Sequence, residues 1–143
     1  MNDDHYRKLE RMYQGSPLNR LLGPKLRVGA GTAEVIIPVR RDFFHAAGAV
    51  HGSIYFKALD DSAFFSVNSL VTDTFVLTAS FSIQLLRPIS QGELRAVGRV
   101  VRAGGQLFFA ESTLTDADGV ELGRGNGVFA RSHVPLGPEI GYA

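Results

Sequence analysis

The stretch "HAAGAVHGSIYFKALDD", residues 45–61, gathers two of the chain's four histidines and two adjacent acids into an otherwise apolar run. On a helix turning about 100° per residue the two acids diverge. Asp61 falls on the side of Lys57, four residues back, a spacing that suits a modest ion pair. Asp60 falls among Phe56, Phe64 and Val67. An unpaired carboxylate there carries a desolvation cost on the order of several kcal/mol unless it is hydrogen-bonded or takes up a proton. Two readings follow. Asp60 is a general base or nucleophile with a raised pKa, or it is a buried polar group satisfied by a backbone amide or a partner subunit.

Gly48, Gly52 and Ser53 flank His51 where the chain turns into this helix. A helix N-terminus presents unpaired N–H groups and the positive end of the helix dipole. Gly52 lets a ligand approach its amide without a side chain in the way. A carbonyl oxygen resting there would have its developing negative charge stabilised, as in an oxyanion hole. His45 and His51, six apart across a glycine, lack metal-ligand spacing, so no metal site is expected. No G-x-S-x-G, phosphate loop or dinucleotide fingerprint is present.

Around this stretch the chain reads as one domain over 1–143. Its 143 residues are 45% hydrophobic and 20% charged, which is ordinary globular composition. A net charge of +1 without a dense basic block points away from nucleic acid. The absence of cysteine removes disulfides and thiolate chemistry. The charged N-terminus has no signal-peptide core and no run is apolar enough for a membrane span, so a soluble, cytoplasmic protein is expected.

Asp3 or Asp4 can cap a first helix over about 3–14, with Tyr6, Leu9 and Tyr13 on one stripe, and "PLNRLLG" suits a second helical turn. From Lys25 to Val39 the pattern alternates, with Gly29-Ala30-Gly31 marking a turn or bulge. "SIYFKALDDSAFFSVNSL" is too long for a strand and apolar on nearly every side, so it predicts an enclosed helix. Four strands follow. The first, "LTASFSIQL", alternates without a break, placing Leu77, Ala79, Phe81, Ile83 and Leu85 opposite Thr78, Ser80, Ser82 and Gln84. In the last, Gly123, Gly125 and Gly127 share one face, which is either a weakened strand or, the reading preferred, a face kept bare so that the helix can approach closely. Residues 132–143 are expected to be irregular. The sum is an α+β domain, an antiparallel sheet curled around a central helix, with an edge strand that a two-fold dimer would protect.

Over roughly residues 25–131 the chain resembles the hot-dog-fold acyl-CoA thioesterases of the phenylacetic-acid-degradation (PaaI-like) type. The resemblance rests on His45, Gly48, His51-Gly52-Ser53, Asp60 nine positions after the motif histidine, and "SIQLLRP" at 82–88. It implies hydrolysis of an acyl-CoA to a carboxylic acid and free CoA. Asp60 matches the family's catalytic carboxylate, acting as base on water or as nucleophile, and Gly52 matches the amide that polarises the thioester carbonyl. His51 matches the motif histidine, structural or orienting. Thr78 matches a Ser/Thr position that helps place the attacking water in some members. His45 stands where the family has Asn or Gln, and Ser53 replaces the second motif glycine. The resemblance also implies an active site between the subunits of a homodimer, with a dimer of dimers as the fuller assembly. It implies no cofactor beyond the CoA of the substrate. Two other activities suit the scaffold: an enoyl-CoA hydratase or dehydratase using a histidine with an acid, and a non-catalytic acyl-CoA-binding module.

Overall fold

The computed structural model describes residues 2–143. Helix α1 (Asp3–Gly15) buries His5, Leu9, Met12 and Tyr13, spaced three or four apart as one helical face requires. Its cap is Asn2, without a side-chain bond; Asp3 and Asp4 lie inside the first turn, where their charge suits the helix dipole. Helix α2 (Pro17–Leu22) opens on a proline, tolerated there because that N–H has no helical partner.

Strands β1 (Lys25–Gly29) and β2 (Thr32–Pro38) form a hairpin whose turn needs a positive φ at Gly31, 67°. The long helix α3 (Gly52–Asn68) runs next, then β3 (Thr74–Leu85), β4 (Glu93–Ala103), β5 (Leu107–Thr115) and β6 (Glu121–Pro135). All pairings are antiparallel in the order β1-β2-β4-β5-β6-β3, which leaves β3 as an edge beside β6. Helix α3 packs on the sheet through Ala58, Leu59, Ala63 and Val67, none of which retains measurable exposure. Burying Leu59 alone is worth about 1.5–3 kcal/mol. At its far end the Asn68 amide donates to the Val71 and Thr74 carbonyls, each 3.1 Å away. Its oxygen accepts from the Val76 N–H at 3.1 Å, which turns the chain into β3.

Three expectations besides the α1 cap need correction. The glycine that lets α3 touch the sheet is Gly98 of β4: a Cβ there would lie 2.3 Å from the Ser62 carbonyl carbon. The stripe in β6 is bare for another reason. At Gly125 and Gly127 a Cβ would strike the Phe81 ring, at 2.7 and 2.4 Å, so a β3 aromatic lies across that face; only Gly123 comes near α3 side chains. Next, β3 does not alternate without a break. A register shift between Thr78 and Ser80 lets both Thr78 and Phe81 face α3, which strict alternation forbids. Lastly, residues 132–135 continue β6, and a short 3-10 turn at Pro138–Ile140 brings the tail back to α1. There the Tyr142 hydroxyl lies 2.6 Å from His5 Nδ1.

Candidate active site

The two halves of the expected site lie on α3 but apart. Asp60 follows Gly52 by eight residues, about 12 Å along a helix axis.

At the start of α3, His51 is the N-cap: its Nδ1 accepts the Ser53 N–H at 3.0 Å, with the Ser53 hydroxyl 2.8 Å from the same atom. An acceptor Nδ1 leaves the neutral ring's proton on Nε2. His51 and Ser53 are therefore the local capping device, and His51 is exposed. The preceding loop doubles back through His45 N–H to the Ala49 carbonyl (2.9 Å) and Gly48 N–H to the His45 carbonyl (3.0 Å), with Gly48 at φ 85°. His45 is exposed, and its Nδ1 accepts the Ala47 N–H at 3.0 Å. His45 and Gly52 share an open hollow of about 300 Å³ with Tyr55, Leu85 and Arg87. Nothing but the Leu85 side chain, 3.0 Å from a Cβ placed on Gly52, stands over that residue.

Eight residues on, the surroundings are different. Asp60 Oδ1 accepts the Thr78 hydroxyl at 2.9 Å. Burial pushes its pKa up to about 6; the Thr78 bond works against that rise, the Asp61 charge adds to it, and Lys57 offsets part of it. Thr78 thus reaches the carboxylate itself. Asp61 is paired with Lys57 at 2.7 Å, as the spacing predicts, and also accepts the Tyr13 hydroxyl at 2.7 Å. The Tyr13 phenol is held well above its ordinary range by burial first and by Asp61 second, so it stays a donor.

Asp60 stands on the wall of a cavity of about 450 Å³. Phe64, Phe65, Phe75 and Leu77 line it, with Met12 and Leu18 from the N-terminal helices. This size and apolar lining suit a small ligand. The other two aromatics of α3 lie elsewhere. Phe56 instead turns out against Phe81, 40% exposed, and Tyr55 belongs to the other hollow, its hydroxyl donated to the Arg87 carbonyl at 2.6 Å. Tyr13, Met12 and Leu18 were missed as site residues, because sequence spacing carries no sign that the N-terminal helices fold over the middle of α3. No group of three or more His, Cys, Asp or Glu that could hold a metal ion occurs among the described residues. No helix among them is long and apolar enough to cross a membrane.

A curated protein described as a "putative esterase", from Saccharolobus solfataricus, is 29% identical over 89 residues, 62% of this chain and 64% of that protein, so the match spans less than two thirds of that relative. One of the same description from Sulfurisphaera tokodaii is 24% identical over 131 residues, 90% of this chain and 96% of that protein. Among solved structures, the E. coli PaaI protein from the phenylacetic acid degradation operon superposes with a TM-score of 0.84 at 19% identity, covering 92% of this chain and 96% of that one. A conserved protein of Pseudomonas aeruginosa gives 0.79 at 27% identity, over 85% and 98%. The sheet wrapped on α3 is the hot-dog fold. The family model described as Thioesterase superfamily covers residues 47–122, from the loop before α3 to the start of β6. That match takes in more than half of the sequence and both halves of the candidate site, and the chain belongs to the thioesterase superfamily.

Proposed function

We propose that the protein hydrolyses acyl-CoA thioesters to a carboxylic acid and free CoA, as a homodimer in which each site takes Asp60 from one subunit and the Gly52 amide from the other. The carrying observation is the pairing of a half-buried, Thr78-bonded Asp60 at an apolar cavity with a helix-end residue, Gly52, that borders a separate hollow.

One chain supplies both parts but cannot bring them to one carbonyl across about 12 Å of helix. A second copy can. Strand β3 is an unpaired edge, and it carries Thr78 beside Asp60 and Leu85 beside Gly52. A two-fold axis near Phe81 and Ser82, midway between those positions, sets Thr78 of one strand opposite the partner's Leu85. That places the partner's Gly52 against Asp60, and the same pairing covers both edges.

In the composite site the thioester oxygen rests on the Gly52 N–H, where the helix dipole favours negative charge. The acyl group lies in the cavity among Phe64, Phe65 and Phe75, whose apolar walls favour an uncharged, aromatic or medium-length acyl chain. Thr78 holds one carboxylate oxygen of Asp60 and leaves the other for the reaction. A pKa near 6 keeps Asp60 ionised at neutral pH yet more basic than an ordinary carboxylate. It attacks by taking a proton from water, whose oxygen adds to the carbonyl carbon, or by adding directly. In the first case the C–S bond breaks and the leaving thiolate takes up the proton held by Asp60, giving the acid and free CoA. In the second the C–S bond breaks to leave a mixed anhydride on Asp60, which water hydrolyses to the acid, restoring the carboxylate and protonating the thiolate.

The test is free-thiol release from a panel of acyl-CoA esters, with Asp60→Ala as control. Hydrolysis lost in the variant supports the reading. Hydration of an enoyl-CoA without thiol release, or tight binding without turnover in the parent protein, overturns it.

A further inference from the structure

The pair beside the catalytic carboxylate is more deeply placed than a surface ion pair. Asp61 Oδ2 takes two donors, the Tyr13 hydroxyl and the Lys57 ammonium, each at 2.7 Å. The Asp61 and Lys57 side chains are 16% and 13% exposed, and Tyr13 retains 4%. The Lys57 ammonium also lies 5.3 Å from the centre of the Tyr13 ring. All three line the cavity that Asp60 borders. Stability gives little reason to keep two charges there, since desolvation offsets much of their attraction. An apolar pair would fill a cavity wall as well.

We propose that Asp61 is a positioning residue for the hydrolysis: with Lys57 and Tyr13 it forms a charged wall that sets the electrostatic surroundings of Asp60 and fastens α1 over the acyl cavity. This rests on the reading of Asp60 as the reacting carboxylate. Family membership does not supply it, because Tyr13 lies outside the matched segment of 47–122.

Within one chain the groups bearing on Asp60 are few. The partner's His45 and the partner's His51, which the proposed dimer brings up with Gly52, are unaltered by substitution at Asp61 or Lys57. Helix α3 contributes Asp61 and Lys57, α1 contributes the protonated Tyr13, and β3 contributes the neutral Thr78 hydroxyl. Asp61 and Lys57 act on the Asp60 proton in opposite senses. Bonded to each other, they offset one another in part, and removal of either leaves the other unopposed.

Asp61→Asn keeps an oxygen for both donors, removes the negative charge and leaves Lys57 uncancelled. Both changes favour ionised Asp60, so the acid limb of the kcat/KM profile moves to lower pH. Lys57→Met leaves Asp61 uncancelled and moves the limb to higher pH. A displacement of half to one pH unit is roughly a three- to tenfold change in kcat/KM on the limb, a rise for Asp61→Asn and a fall for Lys57→Met. A packing role alone moves neither limb in a charge-dependent direction. Carbon NMR titration of the Asp60 carboxyl in the dimer reads the same displacements without turnover, so variants with weakened activity remain informative. Opposite displacements support the proposal. An Asp60-dependent acid limb that stays in place in both variants, or moves the same way in both, overturns it. A parent protein with no hydrolysis overturns the functional reading instead.

Discussion

The two candidate regions of α3 differ in how far along the chain they are built. At its start, the His51 cap, the Ser53 bonds and the Gly52 amide all fall within three consecutive residues. Eight residues later, Asp60 depends on Thr78 eighteen positions ahead, and its neighbour Asp61 on Tyr13 forty-eight positions behind. The first region is a backbone device that any chain with this local sequence could form, open to solvent and electrostatically plain. The second is an ordinary carboxylate whose chemistry comes from what the fold packs around it. Stabilising a developing oxyanion needs a fixed donor, which a capped helix end supplies by itself. Raising the basicity of an acid requires excluding water, which only tertiary structure achieves.

The sharpest way to break this comparison is to disable each region alone. Asp60→Asn keeps the shape and removes the base, with an expected loss of about 10²–10⁴ in kcat. Gly52→Pro removes only the N–H. Proline is accommodated at the first helical position, and His51 at φ −64°, ψ 143° already has the conformation a following proline requires. The expected loss is about 10²–10³. Gly52→Ala keeps the N–H while meeting Leu85 in the same way, so it reports steric effects alone. Equal losses in the alanine and proline variants, measured in thiol-release assays, would remove the amide's role.

Mixing those two inactive proteins asks whether the regions belong to different subunits. In a heterodimer of Asp60→Asn and Gly52→Pro chains, one composite site has both an intact Asp60 and an intact Gly52. Random reassortment makes half the dimers mixed, so roughly a quarter of the parent activity returns. If each chain's site were self-contained, mixing would restore nothing.

The same division explains what could be read from the sequence. Helix α3 and the four strands after it were legible, since each follows from period and local residue type within a short window; the His51 side chain as its cap was not. Asp60 and Asp61 could be told apart by helical angle, and the Lys57 pair by its spacing. The bulge after Thr78 was not legible, because "LTASFSIQL" satisfies strict alternation; the shift answers to Phe81 seating on Gly125 and Gly127 of β6 and Thr78 reaching Asp60. For the same reason the glycine stripe was assigned to the wrong neighbour, while Gly98, a lone glycine in β4, gave no sign that α3 would rest on it. Tyr13 read as one more apolar helix position. Each of these depends on a contact between distant segments.

A smaller effect sharpens the contrast through stability. Asp60 titrates near 6 when folded, against about 3.9 in an unfolded chain. Between those values the folded state binds the extra proton, so stability falls as pH rises through the window and the full cost persists above it. Two units correspond to about 3 kcal/mol, reduced by partial solvent access to about 1–2 kcal/mol. Asp60→Asn should therefore raise the melting temperature by a few degrees at pH 8 and by nothing at pH 4. Gly52→Ala should show no such pH dependence. A pH-independent change in Asp60→Asn would mean that the carboxylate is not held dry.

The smallest expected effect concerns His45, which stands where the resemblance implies Asn or Gln. Its Nδ1 accepts the Ala47 N–H, and the residue lines the hollow that Gly52 also borders. The Nδ1 bond ties the 45–49 loop beside the helix opening, and because it is exposed its loss should cost little. His45→Ala should therefore lower kcat/KM in the thiol-release assay by only about two- to threefold. His45→Asn, whose side-chain oxygen can accept the same N–H, should keep the parent's rate. An unchanged rate in His45→Ala would take His45 out of the site and leave the local region to Gly52 and its cap.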